Sequence, residues 1–223
     1  MQLPIIRAVK EKSNLWLAVL LMVVFAATRW PGLMPPSFSA AYALAFCAGL
    51  YFPRKLAWWL PLATMAVTDV ALNCYYKFAK DIDAFQPYQL MTYAGYALLI
   101  WLGRRFNPRE SSPRLIGGGV LGAMIFFLLT NTVAWLLNPF GNPEYTKDWA
   151  GFLAATITGT SGHPPAWTFL LKTLLSGGLF TGLFVGAMKL TEAPESAREK
   201  EAPEPAEDEA EPAPETQPED ARP

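Results

Sequence analysis

Apolar residues in this chain are gathered into long blocks instead of being spread along it, and polar residues collect in the links between them. Four blocks, 14–30, 57–76, 114–137 and 166–190, run near or beyond the ~20 residues a helix needs to cross a hydrocarbon core. A block over 39–52 is shorter, bracketed by Pro35-Pro36 and Pro53, and spans only with help from flanking residues or local thinning of the bilayer. Another covers about 87–103. The pattern predicts an all-α integral membrane protein of about six transmembrane helices. The domains are a cytoplasmic N-terminus over 1–13, a six-helix domain over 14–190, and a tail over 191–223.

The links carry their own signals. Small residues Ala26 and Ala27 near the end of the first block suggest a secretory leader, but the apolar stretch is long for that role and continues to Arg29-Trp30, an interface flank, so it reads as an uncleaved helix. Pro61 falls in the first turn or two of the third block, where a missing backbone donor costs little. The longest connection, 138–165, opens with Asn-Pro turn signals at 138 and 142. Within it Trp149, Phe152, Leu153, Thr156 and Ile157 follow the spacing of one helix face, backed by Ala150, Gly151, Ala154 and Ala155. This helix of about eleven residues is too short to cross and is expected at the interface or re-entering.

Charge sets orientation. The near-neutral total hides two parts: residues 192–223 hold twelve acidic and three basic side chains, net −9, and residues 1–191 hold seven acidic and fifteen basic, net +8. The tail, rich in Pro, Glu and Ala and lacking aromatic and large aliphatic residues, has nothing to repay the entropy of ordering and reads as a disordered cytoplasmic extension. Arg7, Lys10, Lys12, Arg54, Lys55, Arg104, Arg105, Arg109, Arg114 and Lys189 fall on the N-terminal side of the bilayer, against Arg29, Lys77, Lys80 and Lys147 opposite. That bias places both termini in the cytoplasm, as expected for a multi-pass protein of the cell inner membrane, and turns 138–165 outward, where recognition is expected.

Counting inward from the outer ends at ~1.5 Å per residue puts Asp69, Asn131 and Lys172 at one level, about 10 Å below the outer surface, with Thr92 and Tyr93 slightly shallower. Asn73, Trp135 and Thr168 stand one turn further out as i±4 neighbours. A lone charge facing lipid costs on the order of 3 kcal/mol, so Asp69 and Lys172 are expected to face the interior and each other, as a solute site or as structural glue with Asn131. Arg29 is a candidate anion donor turned towards the same entrance, and Trp30 a belt residue. The candidate substrate-binding set is therefore Arg29, Asp69, Asn73, Tyr93, Asn131, Trp135 and Lys172. His163, the one histidine, reads as a surface turn residue.

Helix packing has its own residues: Gly178, Gly182 and Gly186, then Gly118 and Gly122, then Ala41, Ala45 and Gly49 form small-xxx-small stripes. Cys47 and Cys74 lie in apolar segments without metal or redox spacing and read as small hydrophobes, so no metal and no cofactor is expected. A GxxxxGK[ST] phosphate loop is absent. Gly159-Thr160-Ser161-Gly162 matches the GxSG around an intramembrane protease serine, but His163 stands two residues on, before two prolines, and is badly placed as its base. The chain is expected not to be an enzyme, and its expected partners are the lipid bilayer and a small solute, with no nucleic acid.

Arg29 with the Pro-rich link, Pro36-Ser37-Phe38-Ser39, the stretch from Leu60-Pro61 to Thr68-Asp69, Thr130-Asn131 to Trp135, and the approach from Tyr145 to Gly151 together resemble an uncharacterised bacterial membrane family. That family is similar to the substrate-binding S components of energy-coupling-factor (ECF) transporters, and the resemblance covers about 14–190. It implies a six-helix, ECF S-component-like protein that captures a vitamin-like or other small polar solute beneath its outer loops and works with an ECF-type transmembrane scaffold and its ATPases. The alternative expectation is a non-catalytic membrane scaffold with a structural intramembrane ion pair.

Overall fold

The computed structural model describes residues 19–82 and 89–201. The expected N-terminus over 1–13, the start of the first block and the tail beyond 201 lie outside the described residues. The chain divides into two compact units, Met1–Met188 and Lys189–Pro223, and the packing below is that within the first. Among the described residues all regular structure is helical. The helices are α1 Val19–Thr28, α2 Ala41–Tyr51, α3 Arg54–Lys80, α4 Gln89–Gly103, α5 Ser112–Leu137, α6 Trp149–Leu153, which continues as a π turn over Ala154–Thr158, and α7 Ala166–Glu201.

Each predicted block contains a helix, and the boundaries follow local chemistry. Thr28 ends α1: its hydroxyl donates to the Phe25 carbonyl at 2.9 Å and accepts from the Ala40 N–H at 3.3 Å, tying the end of α1 to the start of α2. Pro53 separates α2 from α3 and gives its carbonyl to Ala57 N–H at 2.9 Å, so α3 begins at Arg54, a turn before the apolar block. At its other end α3 continues to Lys80, where Lys77 and Lys80 suit the negative end of the helix dipole and Asp81 turns the chain at φ 53°. Pro113 opens α5 and Asn138 closes it at φ 42°. The bounds of α7 pass the expected start of the tail.

Among the described residues two helices are long and apolar enough to cross a membrane, α5 and the Ala166–Thr191 part of α7, whereas α1 and α2 are shorter apolar helices. At 11 residues α2 is about 16 Å long. It is nonetheless the centre of the core, with ten of its residues buried. Around it α4 runs parallel, with Tyr42 and Tyr96 rings 6.4 Å apart. α5 runs antiparallel to both: Phe126 lies against Tyr42 and Gly95, Gly122 against Leu99, and Gly118 against Phe46. The expected small-residue stripes are largely used for this internal packing. Gly119 and Gly177 bring α5 and α7 together at Thr181 and Ala123, with Gly178 and Gly182 against Val120 and Ile116. α1 lies along α3, where the Thr64 hydroxyl meets Met22 Sδ at 3.0 Å. Large apolar residues point outward as well, among them Trp59, Val67, Val70 and Phe78 on α3 and Leu175, Leu179 and Leu183 on α7.

The helix expected within the connection forms over 149–158. Gly151, Ala154, Ala155 and Thr156 are buried, while Trp149 and Ile157 are exposed. Asp148 caps its start, accepting from Gly151 N–H at 2.9 Å.

The closest constraint in this core is between α2 and α4. A Cβ on Gly49 would overlap the Ile100 carbonyl and one on Gly103 the Phe46 carbonyl, both backbone atoms that no rotamer change can move. Gly49→Ala should therefore destabilise the protein by about 1–3 kcal/mol, the usual range for overpacking. Gly117→Ala, which meets nothing within 4 Å, should be neutral or slightly stabilising. Equilibrium unfolding in detergent compares the two, and equal effects would show that α2 and α4 are not held at backbone contact.

Candidate functional site

Three expected site residues converge at the C-terminal end of α1. Arg29, just past α1, reaches α3 with both terminal nitrogens: Nη1 donates to Thr68 Oγ1 at 2.8 Å and Nη2 pairs with Asp69 Oδ1. From α4, the Tyr93 hydroxyl donates to Asp69 Oδ2 at 2.7 Å. Both carboxylate oxygens are thus engaged, and the guanidinium also lies 5.6 Å from the Phe25 ring centroid. The cluster is close to neutral and sews α1, α3 and α4 together. Arg29 does turn inward, and its anion is Asp69.

The expected pairing of Asp69 with Lys172 is corrected by the same geometry. Asp69 is paired with Arg29, and the Lys172 ammonium stands 5.6 Å from the Phe169 ring centroid. Among the described residues no carboxylate pairs with it. The expected pairing rested on position along each helix, which leaves the rotation of the helix free, and α3 also runs on to Lys80, past the end from which the depth of Asp69 was counted. Asn73 is half-buried one turn beyond Asp69 and lines neither cavity described below.

Asn131 belongs to a different site. Its amide donates to the Phe127 carbonyl at 2.8 Å, leaving the Oδ1 side towards two cavities. The larger, about 460 Å³, is walled by Asn131 of α5, Ala166 and Phe169 of α7, Ala155 of the π turn, and Phe140, Asn142, Tyr145, Gly159, Thr160, His163 and Pro164 of the connection. The smaller, about 200 Å³, lies between Ser37, Tyr42, Phe126, Phe127, Thr130, Asn131, Phe169 and Thr173. Asn131 and Phe169 line both. The lining is aromatic and polar and carries no carboxylate, lysine or arginine. Its size lies within the range of small-molecule sites.

The connection over this cavity is fastened at one end to α5. Trp135 Nε1 donates to the Thr146 carbonyl at 2.6 Å, and Lys147 Nζ donates to the carbonyls of Trp135 and Leu136 at 2.6 and 2.7 Å, satisfying groups at the end of the helix. Trp135 is therefore a clasp and not a cavity wall. The Asp148 carboxyl is held below its ordinary value by the Thr146 hydroxyl and then the Gly151 N–H. Glu144 is likewise held low by the side chain and backbone N–H of Ser161, the latter at 2.8 Å. That bond ties the Gly159-Thr160-Ser161-Gly162 turn to the connection, and His163 sits at the exposed rim of the cavity.

Sequence reasoning did not reach Phe140, Asn142, Tyr145, Thr160, Phe169, Tyr42 and Thr173. The available signal was the connection itself, long and rich in Asn-Pro turns facing two polar positions on α5. The aromatic wall, Phe169, looked like an ordinary apolar helix residue.

A model of the family of unknown function DUF6580 matches residues 9–200, and the chain belongs to this family. No curated protein and no solved structure matches it.

The closed cluster has a stability signature. Arg29 and Asp69 side chains keep 22% and 15% exposure, so Asp69→Asn leaves a largely desolvated guanidinium without its counter-charge. The expected loss is about 3 kcal/mol. Tyr93→Phe removes one hydrogen bond to a charged group and should cost about 1.5 kcal/mol. Lys172→Gln should cost much less than Asp69→Asn, and thermal unfolding that ranked Lys172→Gln with Asp69→Asn would restore the pairing corrected above.

Proposed function

We propose that this member of the DUF6580 family is a non-enzymatic, multi-pass subunit of the cell inner membrane that binds a small polar solute from the outer side for uptake, in the manner of an ECF S component. The observation that carries this reading is the cavity between α5, α7 and the connection 138–165, continued towards α2 by the smaller one. A volume of about 460 Å³ suits a compact solute, the aromatic side chains Phe140, Tyr145 and Phe169 offer faces to a ring, and Asn131, Asn142 and Thr160 offer hydrogen bonds to its edge. The outward apolar residues of α3, α5 and α7 favour a bilayer around the bundle, and the excess of Lys and Arg at the α2–α3 and α4–α5 links favours those links as cytoplasmic. On that orientation the cavity opens outward. An ECF-type scaffold with ATPases is the partner this reading calls for.

The scaffold reading keeps one support, the closed Arg29–Asp69–Tyr93 cluster, which does for helix register what a structural ion pair would do. The two readings are compatible in different parts of the molecule: the cluster holds the helices and the cavity holds the solute.

Two measurements test this. With Cys47 and Cys74 replaced, a cysteine at Pro143 should react with an impermeant thiol reagent from outside the cell and one at Pro108 should be protected; the reverse would invert the protein and close the cavity to the exterior. Mass spectrometry of small molecules carried through purification in mild detergent should find a solute with the parent protein that Asn131→Leu loses while its thermal midpoint is kept. A parent that carries no solute under any growth condition, with Asn131→Leu simply more stable, would leave the cavity as packing space and end the binding reading.

A further inference from the structure

Lys172 is a charged side chain of α7 that neither the closed cluster nor the cavity uses. On α7, Thr168, Lys172, Leu175, Leu179 and Leu183 fall within about 80° of one another around the helix axis, one stripe running down it. Phe169, Thr173, Ser176 and Phe180 lie beside that stripe and face the cavity or the core. The stripe is open: Leu175, Leu179 and Leu183 are 57%, 51% and 57% exposed, and a Cβ on Gly186, the next position down, meets nothing within 4 Å. From Lys172 to Leu183 the helix rises about 16 Å, about half of the ~30 Å hydrocarbon core. The stripe therefore has a cationic and hydroxyl-bearing head above an apolar tail of one leaflet's depth.

We infer that this stripe is a binding site for an anionic phospholipid of the outer leaflet, its phosphate at Lys172 and an acyl chain along Leu175, Leu179 and Leu183. The inference rests on the reading that α7 crosses a membrane. A half-buried lysine, six residues inside the helix and with no carboxylate partner among the described residues, is costly in lipid unless its ammonium reaches the interface or meets an anion there. The stem is steered by the Phe169 ring, 5.6 Å from Nζ, and Trp167, 52% exposed in the first turn, sits at the level an interfacial aromatic takes. The Thr168 hydroxyl donates to the Pro165 carbonyl at 2.7 Å, which leaves its oxygen to accept from a hydroxyl on the headgroup. Phosphatidylglycerol supplies both the phosphate and the hydroxyls, and phosphatidylcholine, with no net charge and no headgroup hydroxyl, does not.

The test is thermal unfolding and native mass spectrometry of the full chain in mild detergent, titrated separately with dioleoyl-phosphatidylglycerol and dioleoyl-phosphatidylcholine. The parent should be stabilised by, and retain, phosphatidylglycerol several-fold more effectively than phosphatidylcholine. Lys172→Gln and Lys172→Met should bring the two lipids to parity, Lys172→Arg should keep the preference, and Lys80→Gln, removing an exposed cation on α3, should leave it unchanged. A parent without preference, or a preference that survives both neutral variants, overturns the site. So does a change in oligomeric state on Lys172→Gln with lipid preference intact, which would make the stripe a protein contact. Recovery of the protein in the soluble fraction without detergent would instead remove the membrane reading itself, and the lipid site with it.

Discussion

Everything in the first unit is arranged around a helix too short for its position. α2 has 11 residues, ten of them buried, and is enclosed by α4 and α5 with α1 and α7 close by. A helix buried on all sides cannot be amphipathic, and α2 is built from alanines, Gly49, Cys47 and a few large residues, so its neighbours approach almost to backbone contact at Gly49 and Gly103. The small residues remove the side-chain layer that separates most helix pairs, and the interface is held by close packing instead of bulky interdigitation. Because α2 begins only at Ala41, the space beyond its N-terminal end is filled by Ser37, Tyr42, Thr130 and Thr173 around the smaller cavity. The cavity is thus a consequence of helix length.

Charge in the interior follows a different rule. Asp69 has both oxygens occupied, one by Arg29 and one by Tyr93, and Arg29 spends its second nitrogen on Thr68. A pair satisfied on that scale is costly to break and offers nothing to an incoming ion or solute. It also joins three helices near one end, where α2 is absent and small-residue packing cannot serve. The two devices act in different places, with backbone contact between α2 and α4 and a neutralised ion pair joining the C-terminal end of α1 to the middle of α3.

How far the sequence revealed this depended on what each residue's signal encodes. Block lengths and proline positions located the helices, since both reflect local chain chemistry, and α3 outran its block because Arg54 and Lys55 are good helix formers and Lys77 and Lys80 suit the helix C-terminus, none of them being apolar. That Asp69, Asn131 and Lys172 lie within helices was also readable. Their partners were not: which face a residue presents depends on the rotation of each helix, which is fixed by distant contacts such as Gly119 with Thr181. Arg29 and Tyr93 were picked out and do meet Asp69, whereas Lys172 is half-buried beside Phe169. The helix within the 138–165 connection was readable from its periodicity, but which of its sides is buried was not, since that depends on the contacts the connection makes.

The cavity lining carries no carboxylate, lysine or arginine. Its walls supply amides, hydroxyls and rings, and the nearest carboxylates, Glu144 and Asp148, are committed to Ser161 and to Thr146 with Gly151. Those bonds hold the turn and the outer helix in place over Ala155, Gly159 and His163, and Lys147 and Trp135 tie the same connection to the end of α5. The connection therefore uses its charges to fix its own shape and leaves a neutral, ring-lined space beneath. Such a lining discriminates by shape and hydrogen-bond pattern, since a donor or acceptor of Asn131 or Thr160 left unpaired in a desolvated site carries a penalty of about 1–3 kcal/mol. A strongly charged solute would lose its hydration there without gaining a counter-charge, so the same economy that stabilises the connection also narrows what the cavity can hold.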